Sequence, residues 1–449
     1  MIATHRTITE RRGIAALIAR EWADPALRGS HLMLVNTAVT AALGFAFWVV
    51  AARLLPVEAV GTGTATVAIV LTIAGLGQLN LYQSAGVLLA RASGDGRAAA
   101  FRLWALAAGA TLAVGAVVSA IVVTMDVLAV RTAIVPQTLP LLVTCAVAWT
   151  AFAVKDALLI ARRRTALVPA LNSGYAVLKI AALVGAVALL PATARPGEVP
   201  GGDAIVLATF APIALVVPVA ALVIALPRIA PPREPAVAVG TRRGDDARFL
   251  AADYIGVVAL QSCTTLLPFI VFAWAGAEMA GVFAAAWAIV LVLDTLAHNA
   301  AVPLATELAR TPERREELSH RVTARTLVVV AVGAAVLAIF AEPILALLGP
   351  TYAAQGAPVL QVFAAASILR AILILRLAGL RAARRTGRIA LVEVTHAAAV
   401  LGIAAWAVPN GGALGMALAW AAGQVVALAV VIPLSGGRRG STRAVTHGP

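Results

Sequence analysis

Residues 249–310 read FLAADYIGVVALQSCTTLLPFIVFAWAGAEMAGVFAAAWAIVLVLDTLAHNAAVPLATELAR. Two apolar runs, each about as long as the ~20 residues that cross a bilayer, meet at a tight turn near Gly276–Ala280. Arg248 precedes the first run and Arg310 closes the second, so both feet of the hairpin are basic. Gln261, Asp294 and His298 interrupt the apolar pattern, and a spacing of four places Asp294 and His298 on one helix face. A carboxylate at membrane depth costs roughly 2.5–3.5 kcal/mol on insertion scales, so it faces protein or a wet cavity rather than lipid. The stretch is read as a transmembrane hairpin that lines an interior.

The rest of the chain repeats that theme. Of 449 residues, 61% are hydrophobic and 12% charged, with mean hydropathy +0.94. A soluble domain of this size could not hide so much apolar surface. Twelve spans are expected near 31–53, 59–83, 100–124, 138–160, 166–190, 203–226, 249–273, 279–305, 325–347, 357–379, 388–408 and 411–433. The fold class is therefore an all-α polytopic membrane protein.

The formal net charge is +14, and all but two of the 35 basic residues are arginine. They cluster in alternate loops, among them Arg162, Arg164, Arg242, Arg243, Arg381 and Arg385, while the intervening loops carry few. That asymmetry marks one side as cytoplasmic and puts both termini there. It also assigns the basic balance to an anionic membrane surface, with no nucleic acid as partner. Cys145 and Cys263 both fall within spans, so no external disulfide framework is implied.

Domain limits follow. Residues 1–30 form a basic cytoplasmic segment, 31–226 a lobe of six spans, and 227–248 a Pro- and Arg-rich linker. Residues 249–433 form a second six-span lobe and 434–449 a cytoplasmic tail. Internal similarity supports the division. GTGTATVAIV at 61–70 matches GVFAAAWAIV at 281–290, and ARRRT at 161–165 matches AARRT at 382–386, at offsets of 220 and 221. Repeats with an even number of spans run parallel and form a cavity at their interface.

Several polar groups sit deep in spans. Lys179, about thirteen residues into span five, either snorkels toward the interface or faces a cavity as a cation. Arg370 lies at similar depth in span ten, and arginine snorkels less easily from the centre. Lys155 and Asp156 are adjacent in span four and point about 100° apart, so their pairing does not follow from the sequence. Asp294 with His298, and Glu393 with His396, are candidates to carry a coupling H⁺ or Na⁺, or to hold helices together by pairing. Asn36 and Gln261 add uncharged hydrogen-bonding groups. No Walker loop, Rossmann fingerprint, metal-spaced Cys/His cluster or GxSxG element occurs, and no cofactor is expected beyond a coupling ion.

NTAVTAALGFAFWVVAARLLPVEAVGTGTATVAIV at 36–70 resembles the first helix pair of bacterial polysaccharide-biosynthesis flippases. Those flippases belong to the multidrug/oligosaccharidyl-lipid/polysaccharide exporter superfamily. WTAFAVKDALLIARRRTALVPALNSGYAVLKI at 149–180 resembles their fourth and fifth helices, and residues 253–290 their seventh and eighth. The resemblance implies two six-helix lobes in a V, working by alternating access in the bacterial cytoplasmic membrane. The implied cargo is an undecaprenyl-pyrophosphate-linked oligosaccharide, with pathway glycosyltransferases and a polymerase as partners. Lys179 and Arg370 suit the pyrophosphate by charge. The alternative within the superfamily is an H⁺- or Na⁺-coupled drug antiporter. Such exporters commonly keep an acid in the N-terminal lobe, whereas the first helix here carries Asn36. A membrane-embedded glycosyltransferase or O-antigen ligase would need a larger external loop than 191–203.

Overall fold

A computed structural model describes residues 25–78, 96–127, 136–162, 164–189, 201–226, 254–256, 258–310, 315–383 and 385–435. The N-terminal segment up to residue 24, the linker at 227–248 and the tail from 436 lie outside these described residues. Helices account for nearly all of them, and no strand occurs among them. In chain order the helices are α1 Pro25–Leu54, α2 Val57–Gly77, α3 Arg97–Val127, α4 Leu139–Ala161, α5 Leu167–Leu189, α6 Gly202–Phe210 and α7 Ile213–Ala225. There follow α8 Leu267–Arg310, α9 Arg315–Ile339, α10 Ala341–Ala346, α11 Pro350–Ala382 and α12 Thr386–Ser435. Pro212, which cannot donate to the ladder, separates α6 from α7 within one span.

Nine stretches among the described residues are long and apolar enough to cross a bilayer. Tyr254–Ala301 and Thr386–Leu434 are 48 and 49 residues long, or about 70 Å at ~1.5 Å per residue, against a core of ~30 Å. Each breaks at a glycine with positive φ, Gly276 (88°) and Gly412 (54°), where a side chain would be strained, and the first also bends at Leu266. The second break reverses the chain: a Cβ on Gly415 would overlap the carbonyl of Ala407, eight residues earlier. In a straight helix those residues would stand ~12 Å apart. Counting these as two passes each and adding the shorter apolar helix Val39–Leu54 gives the twelve passes expected. The protein is a multi-pass membrane protein.

The chain divides into two compact units. The first holds α1, α2 from Ile69 onward, and α3 to α7. There α1 packs on α5, α3 and α7 pack on α4, and α6 packs on α5. Its core around Trp104, Leu158, Leu159 and Ile224 is tied by Trp104 Nε1 donating to the Ala151 carbonyl at 2.8 Å. The second unit holds Val57–Ala68 of α2 and α8 to α12. Here α11 is central, touched by α8, α9, α10 and α12.

The sequence repeat reappears as backbone geometry. After pass four of the first unit, Arg162 N donates to Leu158 O, Arg164 N to Leu159 O, and Leu167 N to Arg164 O. Shifted by 221 residues, Ala383 N donates to Gly379 O, Arg385 N to Leu380 O, and Arg388 N to Arg385 O. The two loops are one turn used twice.

The glycines matched at an offset of 220 pack on each other's backbone within the second unit. A Cβ on Gly61 would overlap the Ala277 carbonyl, and one on Gly281 would overlap that of Val57. Apolar side chains gain nothing by leaving lipid for each other, so close backbone approach through small residues is what holds such helices. Gly61→Val is therefore expected to destabilise the second unit by about 1–3 kcal/mol, as overpacking does. Thermal unfolding in detergent would read this as a lowered midpoint.

Candidate functional site

Two polar clusters lie inside the units, one open and one closed. In the first unit a cavity of about 280 Å³ is lined by Asn36, Phe47, Phe152, Asp156, Asn172 and Lys179, among others. Lys179 reaches it from α5, half-buried, with Nζ 3.9 Å from the centroid of Phe47 and 6.0 Å from that of Trp48. A ring face attracts the ammonium but accepts none of its three donors in the usual sense. Among the described residues no carboxylate lies within ion-pair reach of Lys179. Asn36 Oδ1 is buried in the same region without a hydrogen-bond partner.

The other lysine is fully satisfied. Lys155 is completely buried, with Nζ 2.8 Å from both Asp156 Oδ1 and Asn172 Oδ1 and 3.6 Å from the Phe152 ring centroid. Asn172 Nδ2 closes the triangle by donating to Asp156 Oδ2 at 3.0 Å. Neighbours on α4 meet here because the long lysine stem folds back and Asn172 on α5 bridges both heads. The sequence withheld that pairing: it offers Lys155 and Asp156 in a structural role and Asn172 as a polar group of a cavity wall, with nothing that joins the three. Tyr175 hydroxyl donates to Thr209 O at 2.9 Å and fixes the wall behind the cavity.

The second unit gathers Asp294, His298, Arg370, Glu393 and His396 around Trp420. Arg370, only 3% exposed, donates from Nε to Asp294 Oδ1 at 3.0 Å, and Asp294 Oδ2 lies 3.2 Å from His298 Nδ1. The Arg370 guanidinium is 5.7 Å from the Trp420 ring centroid. Arg370 is thus neutralised where it sits, because a deep arginine facing α8 meets its carboxylate there. It does not stand open as a second cavity cation. The adjoining cavity, lined by Asp294, Ser367, Arg370 and Trp420, measures about 20 Å³, room for one water.

Glu393 and His396 share a face of α12 with Oε2 and Nδ1 4.0 Å apart, beyond hydrogen-bond range, and both atoms are buried without partners. Gln424, which sequence reasoning passed over, returns from the second limb of α12 to place Nε2 at 2.7 Å from His396 Nε2. An amide donating there leaves the imidazole proton on Nδ1, aimed at Glu393. Gln261 stands apart: it does not line either cavity, and its backbone oxygen accepts from Thr265 at 2.7 Å.

No protein-family model matches the chain, and no curated protein sequence matches it. Solved structures do. A lipid II flippase MurJ in an inward closed conformation aligns with a TM-score of 0.67 at 9% identity, covering 90% of this chain and 87% of the other. A MOP superfamily transporter from Pyrococcus furiosus aligns with a TM-score of 0.54 at 14% identity, covering 92% and 95%. A multidrug resistance MATE family transporter of the MOP superfamily, in an inward-facing conformation, gives 0.53 at 14%, covering 90% and 97%. The shared property is the fold.

Proposed function

We propose that this chain, built on the fold of the multidrug/oligosaccharidyl-lipid/polysaccharide exporter superfamily, is an alternating-access flippase for a lipid-linked saccharide. It works in a bacterial cytoplasmic membrane with both termini inside and serves cell-surface polysaccharide assembly. The observation that carries this reading is the first-unit cavity: a lysine with no carboxylate partner among the described residues, set among amide, hydroxyl and aromatic groups. A phosphate-linked sugar supplies what Lys179 and Asn36 lack, an anion for the ammonium and a hydroxyl for the partnerless Oδ1. A cationic drug would meet a net positive wall there, which counts against the antiporter alternative. Lipid-linked cargo also makes pathway glycosyltransferases and a polymerase natural partners.

The second unit is assigned to coupling. Glu393 faces the Nδ1 side of the His396 imidazole, whose other nitrogen is held by the Gln424 amide, with Arg370, Arg381, His298 and Asp294 as its charged surroundings. Sodium would need several oxygen ligands and would feel the nearby guanidinium, so a proton fits the pair better. The test is reconstitution into vesicles with a fluorescent polyprenyl-linked sugar, following its accessibility to an external quencher under an imposed pH gradient. Gradient-driven accumulation is expected in wild type. It should fall roughly 5- to 150-fold in Glu393→Gln, the span of common coupling free energies. Failure of the wild type to move any such lipid overturns the flippase reading.

A further inference from the structure

The charges inside the first unit limit what the cavity can hold. Among the described residues Asp156 and Lys179 are the charged groups of its lining; Asp156 is cancelled by the buried Lys155 at 2.8 Å, leaving Lys179 as the open positive charge. The deep arginine of the second unit adds nothing, since it is closed on Asp294 beside a space fit for one water. A buried charge without a counter-charge is expensive, so the favoured occupant carries one negative charge in this cavity.

We propose that the saccharide's lipid link is a single phosphodiester, a polyprenyl monophosphate sugar, rather than a pyrophosphate. This rests on the flippase reading. A phosphodiester carries one negative charge and matches Lys179; a pyrophosphate diester carries two and would set the second against Asp156. The volume agrees. A cavity of about 280 Å³ has room for a sugar ring beside the phosphate. The rest of the lining is made for that ring. The partnerless Oδ1 of Asn36 and the carboxylate of Asp156 accept hydroxyl protons, whereas a second phosphate offers them only more acceptors.

The experiment compares two probes of equal chain length in vesicles holding the full-length protein: a fluorescent neryl monophosphoryl-hexose and the corresponding neryl pyrophosphoryl-hexose. The wild type is expected to move the monophosphate at least tenfold faster. Asp156→Asn removes the negative charge from the lining and leaves Lys155 behind it without a counter-charge, so the ratio should shift about tenfold toward the pyrophosphate. Equal rates in wild type, or a faster pyrophosphate, overturn the inference and leave the flippase reading standing. Movement of neither probe overturns both. Should Asp156→Asn fail to fold, the wild-type ratio alone decides.

Discussion

Lys179→Met is expected to lower translocation of a phosphate-linked lipid saccharide by about 10- to 100-fold while leaving the protein folded. A hydrogen bond to a charged group contributes about 1.5–3 kcal/mol, and each 1.4 kcal/mol is roughly a factor of ten. Methionine is chosen because it nearly keeps the length of the lysine stem. Its thioether can rest on Phe47 where the Lys179 ammonium sits, and the change removes the charge. The second unit and its coupling pair are untouched. Lys179→Arg restores a cation with a larger head and should recover part of the rate. Both variants are measured by the quencher-accessibility assay, with detergent thermal unfolding run alongside. A Met variant that transports at the wild-type rate would show that Lys179 is merely parked on the ring.

Asp294→Ala is expected to have the largest effect on stability. It leaves Arg370, almost wholly buried, without the carboxylate that its Nε contacts at 3.0 Å. Breaking one side of a buried pair commonly costs about 3–5 kcal/mol, most of it the penalty for the stranded partner. Asp294 is about a quarter exposed, so the lower end applies. Replacing both groups, Asp294→Ala with Arg370→Met, should recover most of the loss because no charge remains to be stranded. A double-mutant cycle on detergent unfolding midpoints checks this. If the single and double variants are equally destabilised, the ion pair is not what holds α8 to α11.

Much of the architecture was legible from hydropathy and arginine placement. Twelve passes follow from apolar length, and the Gly276 turn could be placed to within a few residues because a helix twice the membrane thickness must reverse somewhere. The repeat was legible from five identities in ten positions and four in five more, and the same loop hydrogen bonds 221 residues apart are its physical content. Asp294 with His298 was legible too, since helical spacing of four brings such groups together whatever surrounds them.

The functional residues were legible only as a list. Depth in a span made Lys179 and Arg370 look alike, two cations near mid-membrane. Which of them is open depends on what the facing helix carries: Asp294 of α8 opposite Arg370, and an aromatic ring of α1 opposite Lys179. Likewise Lys155 was hidden by its own neighbour, and Gln424 by the 28 residues that separate it from His396. Sequence alone determined that the chain spans a membrane as a doubled helical unit, because transfer free energy and helix length are local quantities summed along the chain. Only the tertiary structure decided where a net charge remains, because cancellation of buried charges acts over a few ångströms between helices that the sequence keeps far apart.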